Sequence, residues 1–332
     1  MFIHQLDLEE FRGVKKCKEP IKLSKFNILI GRNNSGKSTI LGALSLLPIP
    51  SDYLEPIVSA YRIDFLKGLI GGASSLVYAY SGEAKLTYKI NNSSWKIEIN
   101  EKGQTEKIVI GNKTVNLPPY NIIDEISSSL EVKRDVKNIQ RLVFFIPNST
   151  GFIKTLIENL RRDEYWNFVT KQRAHFEVAS QISQCVDDKY TEILMGKDGL
   201  YARKEFPKTG PLYIKLEDLG DGTEKAIAIM LFVNAFKPDV VLWDDFETTA
   251  HPTLIRMLLN WLGEGRWQVV LSTHSIDVLD RLLEVKPKDA KVIQLKKTAE
   301  DILLHKELSL EELEAIMEAN QDPRLLVDAL QL

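Results

Sequence analysis

An α/β fold is what the apolar pattern predicts: a mainly parallel sheet flanked by helices, with an antiparallel β lobe and a helical insert. Three observations carry that prediction. The apolar stretch FNILI runs into the glycine-rich GRNNSGKST and then into helical spacing. Residues 240–295 alternate between apolar runs and helical patterns, and residues 84–110 alternate apolar with polar side chains between polar turns. The first two require parallel strands joined by crossover helices, and the third builds an antiparallel meander.

In chain order, strands are expected at Phe2–Leu8 and Ile21–Ile30, the second ending at a glycine. A helix from Lys37 places Ile40, Leu41, Leu44 and Leu47 on one face and stops at Pro48 and Pro50. A helix-like segment follows near 55–69. The meander then uses Leu86, Tyr88 and Ile90, Trp95, Ile97 and Ile99, and Ile108 and Ile110. LVFFI at 142–146 is a buried strand, residues 150–194 are mostly helical, and strands fall near 200–206 and 212–216. From Thr223 the order Ala226, Ile227, Ile229, Met230, Leu231, Val233 suits a largely buried helix. Strand 240–243, helix 253–262, strand 267–271, helix 275–283 and strand 291–295 follow. Two short helices close the chain, marked by Ser309-x-x-Glu312 and Asp322-Pro323. The expected division is a core of 1–50 and 195–300, a lobe at 51–149, a helical insert at 150–194 and a tail at 301–332.

Composition narrows the class. With 332 residues, 44% hydrophobic and 27% charged, the chain reads as an ordinary globular protein. No run of about 18 apolar residues or secretory succession occurs, so a cytoplasmic location without a membrane partner is expected. Cys17 and Cys185 lie far apart without CxxC or Cys/His company, which argues against a zinc site or disulfide framework. A net charge of -3 excludes a uniformly basic nucleic-acid coat but not a local basic face.

The most specific signal is Gly31 to Thr39, which fits G-x-x-x-x-G-K-[ST] between a buried strand and a helix. Such a loop lets backbone N–H groups curl around phosphates while the helix N-terminus adds positive potential. Lys37 is placed to reach the β and γ phosphates of ATP, and Ser38 to ligate Mg2+. Asn33, Asn34 and Ser35 line the loop between Gly31 and Gly36. Thr39 either helps near the α phosphate or is simply a first-turn residue.

A magnesium nucleotide site also needs a carboxylate at the end of a neighbouring strand. VVLWDDFE places Asp244 there as the Mg2+ partner and Asp245 next in line to orient the attacking water. Asp245, Glu247 or Thr248 could instead serve the helix opening near Pro252, and His251 shapes that turn. LSTHS ends the next strand with His274, read as a switch that senses the γ phosphate, with Thr273 or Ser275 as helix caps.

With GRNNSGKST, LGDGTEKAI, WDDFE and STHS in that order, the chain resembles the ABC-type ATPase heads of the SMC, RecF and OLD proteins. FRG, GRNNSGKST and LEDLGDG are most similar to OLD-like ATPases. The resemblance covers residues 1–295 and implies a P-loop NTPase of the ABC type, with ATP and Mg2+ as ligands. It also implies that Gly220, Asp221, Gly222 and Thr223, before Glu224 and Lys225, form a signature segment meeting the γ phosphate held by an opposing subunit. That is an ATP-driven head-to-tail homodimer. Arg12 matches an arginine such families place near nucleotide or DNA, though a surface role at a strand end is equally open. Two departures stand out: Asp245 where Glu is usual, and PNSTG (Pro147–Gly151) where a Q-loop glutamine is expected.

The resemblance further implies Mg-dependent ATP hydrolysis coupled to DNA maintenance or anti-phage defence, with a nuclease or other effector as partner. A nucleotide-gated switch and a transporter ATPase subunit are the alternatives. Without heptads between Lys37 and the signature, a long coiled-coil arm is not expected, and the span after His274 leaves no room for a Toprim nuclease. Lys133, Arg134, Lys137, Arg141, Lys154, Arg161, Arg162, Lys171 and Arg173 form either a basic track for DNA or a solvated face.

Overall fold

The computed structural model describes residues 1–54, 57–115, 142–186, 188–207, 209–248 and 250–326. Among these the predicted α/β architecture is what the chain has. Strands β1 (Ile3–Phe11), β2 (Val14–Cys17), β3 (Ile21–Lys22) and β4 (Phe26–Ile30) precede helix α1 (Lys37–Ser45) and α2 (Arg62–Leu69). The meander is β5 (Glu83–Ile90), β6 (Ser93–Asn100), β7 (Thr105–Ile110) and β8 (Lys113–Val115). After β9 (Val143–Ile146) come α3 (Thr150–Leu160), α4 (Asp163–Lys171) and α5 (Ala174–Ile182). A small antiparallel sheet of β10 (Tyr190–Met195), β11 (Leu200–Phe206) and β12 (Gly210–Lys215) leads into α6 (Asp221–Phe236). The remainder is β13 (Val240–Trp243), α7 (Pro252–Glu264), β14 (Gln268–Ser272), α8 (Ile276–Val285), β15 (Ala290–Lys297), β16 (Ile302–Leu308) and α9 (Leu310–Glu318).

One large sheet runs β8-β7-β6-β5-β1-β2-β16-β15-β4-β14-β13-β9, with β3 also paired to β1. From β15 to β9 every pairing is parallel. The wing from β1 to β8 is antiparallel and hydrogen-bonds into the same sheet. Both faces of the parallel part are covered, which is why its strands read as continuous apolar runs. Phe144, Ile146, Val241 and Trp243 face one core, while Val143, Phe145, Val240 and Leu242 face the other. α6 belongs to the first core and α1 to the second. Residues Ala226–Phe236 of α6 are all buried, and each large apolar side chain there contributes about 1.5–3 kcal/mol. Phe232 stacks on Phe144 at 4.3 Å between ring centroids, fixing β9 against α6.

Several expected elements differ. The stretch 21–30 is two strands, because Asn27 turns the chain back locally: its Oδ1 accepts the Ser24 N–H at 2.8 Å and its Nδ2 donates to the Ser24 carbonyl at 2.8 Å. β2 escaped the sequence reading altogether. The helix expected near 55–69 begins at Arg62, after a loop in which Tyr53 and Tyr61 form a β-bridge. Residues 190–194, expected at the end of the helical insert, belong to strand β10, paired with β11. The tail, expected as two short helices, opens instead with β16, antiparallel to β15 and parallel to β2. The Ser309–Glu312 capping box is present, and Asp322-Pro323 opens a turn.

Candidate nucleotide site

The phosphate loop leaves β4, whose five residues are all buried, and enters α1 with no break. Gly31 has φ 147° and Gly36 φ 101°, backbone states that favour glycine. Space enforces the same choice at Gly31, where a Cβ would lie 2.4 Å from the Leu295 carbonyl oxygen; at Gly36 the nearest atom is Leu303 Cδ1 at 2.9 Å, a side-chain end that can yield. Lys37 spans the loop, its Nζ donating to the carbonyls of Gly31 at 2.9 Å and Arg32 at 3.0 Å. Burial lowers the Lys37 pKa, opposed by Asp245, Asp244 and Glu247. Ser35 Oγ is buried without a hydrogen-bond partner. Arg32, Asn33, Asn34 and Ser35 line a cleft of about 450 Å³ with Leu295–Ala299 and Asp301. Thr39 is buried.

The carboxylates reach this loop because three parallel strands end together. Trp243 is level with Leu271 of β14 and Ile146 of β9, so Asp244, Ser272 and Pro147 follow at one edge. Asp244 Oδ1 accepts from Ser38 Oγ at 3.2 Å and from Ser272 Oγ at 2.5 Å. Burial raises the Asp244 pKa, the two serine hydroxyls pull it down, and Asp245 pushes it up. The same Ser272 Oγ accepts the main-chain N–H of Asp245 at 2.8 Å, so one hydroxyl organises both acids.

Asp245 sits in the left-handed region, φ 47°, which a short polar side chain tolerates better than most. Its Oδ2 accepts from Asn148 Nδ2 at 2.8 Å, and its Oδ1 lies 3.7 Å from His274 Nε2. Asn148 belongs to PNSTG, the segment just after β9. Glu247 Oε1 accepts the main-chain N–H of His274 at 2.7 Å, while its Oε2 is buried without a partner. Lys225 Nζ lies over the Trp243 ring, 5.6 Å from its centroid, and burial lowers its pKa against the pull of Asp245 and Glu247. Arg12, with φ 53°, donates from Nη1 to the Ser38 carbonyl at 2.6 Å. Burial lowers its pKa, with Asp244 opposing.

Gly220, φ 87°, opens α6, and its carbonyl accepts from the N–H groups of Thr223 and Glu224 at 3.0 and 3.1 Å. Gly220, Asp221, Gly222 and Thr223 line an open cavity of about 790 Å³ with Cys185, Val186, Leu219, His251, Thr253 and Leu254. This is a different recess from the phosphate-loop cleft. No side chain caps that end of α6, which leaves its first N–H groups available to an anion. The structure thus gathers Arg12, Lys37, Ser38, Asp244, Asp245 and His274 on one sheet edge and sets Gly220–Thr223 apart. His251 caps α7.

Of the basic residues, Lys133, Arg134, Lys137 and Arg141 lie outside the described residues. Arg161 donates to the Lys197 carbonyl at 3.2 Å, Arg162 pairs with Glu164 at 2.9 Å, and Arg173 lies over Phe176. All three are engaged, Arg161 with the turn between β10 and β11 and the other two within the insert. Sequence reasoning missed Ser272, Asn148 and Arg324 as site residues. The first two were signalled only as polar residues at or just beyond the ends of apolar strands.

Residues 26–280 match the protein family described as "AAA domain, putative AbiEii toxin, Type IV TA system". The Septu protein PtuA of Bacillus mycoides is 22% identical over 293 residues, which is 82% of this chain and 38% of PtuA. The chain thus spans well under half of that relative. A protein of Helicobacter pylori named ATP/GTP phosphatase is 23% identical over 336 residues, 86% of this chain and 89% of its own. Among solved structures, the Smc head bound to the C-winged helix domain of ScpA is similar with TM-score 0.63 at 16% identity, covering 95% of this chain and 100% of the other. The SMC head domain from Thermotoga maritima gives TM-score 0.52 at 15% identity, covering 93% and 100%. At these identities the two structures speak for the fold.

Proposed function

The chain belongs to this AAA-domain family, and from that premise we propose that it binds Mg-ATP in the Gly31–Thr39 loop and hydrolyses it. One observation carries the reading. The hydroxyl of Ser38 and the carboxylate of Asp244 stand 3.2 Å apart beside Lys37, while Asp245 is held by Asn148 and Ser272 next to His274. The unpartnered Ser35 Oγ, and Gly31 with its positive φ and its close approach to the Leu295 carbonyl, fit a loop shaped around phosphate oxygens. Ser38 and Asp244 supply the hard oxygen donors that Mg2+ takes, and the ion when bound neutralises charge on the β and γ phosphates.

Lys37 holds the terminal phosphates. Asp245 orients a water and accepts its proton as the oxygen attacks the γ phosphorus and the bond to the β phosphate breaks, yielding ADP and phosphate. In this reading His274 donates toward the γ phosphate, and its position 3.7 Å from Asp245 supports that role. The name of the Helicobacter relative, ATP/GTP phosphatase, supports this chemistry.

The test is phosphate release from Mg-ATP by the purified protein. Turnover abolished by Asp245→Asn, with ATP binding retained, supports the enzyme. Binding without release above background makes the chain a nucleotide-gated switch instead, and the Asp in place of the usual Glu gives that second reading its ground.

The open N-terminus of α6, in its own cavity, supports a second half-site that another head completes across ATP. Light scattering of Asp245→Asn with ATP should then show a dimer. Coupling to DNA maintenance or anti-phage defence, through a nuclease or other effector, is part of the same reading; the toxin and type IV TA wording of the family description supports a role beside a partner and names neither DNA nor a nuclease. The OLD-like likeness rests on FRG, GRNNSGKST and LEDLGDG alone. Among the described residues, no helix is long and apolar enough to cross a membrane.

A further inference from the structure

The C-terminal segment reaches into this site. Arg324 donates from Nη1 to the main-chain carbonyl of His274. The N–H of that same residue donates to Glu247 Oε1 at 2.7 Å. Both polar groups of the His274 backbone are therefore held by charged side chains, one from beyond β13 and one from the tail.

Arg324 is itself fixed. Its Nε donates to Asp322 Oδ1 at 2.9 Å and its Nη2 to Asp322 Oδ2 at 2.6 Å, a two-point fork. The Asp322 carboxylate also accepts the Arg324 main-chain N–H at 2.9 Å. Between them, the Pro323 carbonyl accepts from Gln294 Nε2 at 2.5 Å. Gln294 is buried on β15, level with Ile30, the last residue before the phosphate loop. The turn is thus pinned to the strand next to that loop at one point and to the histidine at another.

We propose that Arg324 is a positioning residue for His274, fixing the backbone that aims its imidazole at the γ phosphate and Asp245. The physical case is that His274 follows directly on the last residues of β14 and Thr273, so no sheet pairing of its own is available to lock it. A guanidinium clamped by a carboxylate has little freedom left to lose when it holds a carbonyl. A lysine could donate to the same carbonyl but could not make the fork to Asp322. The proposal rests on the hydrolytic reading of the site, because aiming matters only if His274 acts there.

Two measurements test it on the full chain. In steady-state phosphate release, Arg324→Ala should lower kcat about tenfold while KM for ATP stays within about twofold, and Arg324→Lys should recover part of the loss. Added to His274→Ala, the Arg324→Ala change should cost nothing further, because it acts through the residue already removed. A kcat equal to that of the unmutated chain, or a full additional loss in the double variant, overturns the proposal. In the nucleotide-free protein, amide hydrogen exchange at His274 should speed about tenfold in Arg324→Ala, with Val269–Leu271 unchanged. Unchanged exchange at His274 overturns it whether or not ATP is turned over. An unmutated chain that releases no phosphate sinks the hydrolytic reading, and the exchange result alone then decides the positioning.

Discussion

Ser272→Ala removes a single hydroxyl at a fully buried strand end, and the structure says it should cost far more than a typical serine truncation. That oxygen donates to Asp244 at 2.5 Å and accepts from the Asp245 N–H at 2.8 Å. A bond to a charged acceptor contributes about 1.5–3 kcal/mol and a neutral one about 0.5–1.5 kcal/mol. Allowing for partial relaxation, the variant should lose about 2–4 kcal/mol of stability, a large part of the 5–15 kcal/mol on the order of which domains rely. Urea unfolding followed by tryptophan fluorescence measures this, since the buried Trp243 directly precedes Asp244. A second readout follows from the charge balance. Because the hydroxyl pulls the Asp244 pKa down against burial, its loss lets that pKa climb, and the acid limb of ATP turnover should move to higher pH. A stability loss under about 0.5 kcal/mol together with an unmoved acid limb would refute the idea that Ser272 organises the pair.

Three further outcomes are expected. Asn148→Ala frees Asp245 Oδ2 and should lower turnover roughly tenfold with ATP affinity unchanged, as nucleotide titration beside phosphate release would show. Gly31→Ala combines φ 147° with a contact of 2.4 Å to backbone, so it should destabilise by about 3 kcal/mol and abolish nucleotide binding; a folded variant that binds ATP normally would contradict the loop geometry. Burial pushes the Asp52 carboxyl up to about 6 despite Arg62, from an unfolded value of 3.8. A folded pKa above the unfolded one means stability is fully present below the unfolded value and is lost as pH rises towards 6. Asp52→Asn should therefore gain stability relative to the unmutated chain between pH 4 and 6, and parallel pH curves for the two would exclude this.

The phosphate loop was legible in the sequence because it is local: its glycines, Lys37 and Ser38 are set by one strand–loop–helix unit, and backbone geometry over nine residues demands those residue types. The buried parallel strands were legible for a related reason, since covering both faces leaves a continuous apolar run in each. Strand pairing was not. β2 and β16 join different parts of the chain, and only their register shows that the tail contributes a strand. The split at Asn27 depended on a side chain folding back on Ser24, which no periodicity reports.

The same division runs through the site. The sequence by itself determined that a phosphate loop, two adjacent carboxylates and a histidine lie at strand ends, because each motif is written within a few consecutive residues. Only the tertiary structure decided which groups share a hydrogen bond. Ser272 links Asp244 to Asp245 because β13 and β14 end level, Asn148 reaches Asp245 because β9 lies on the other side, and Arg324 arrives on His274 from fifty residues downstream. Those contacts are set by register and packing between distant segments, a property of how strands align in space rather than of any one stretch of residues.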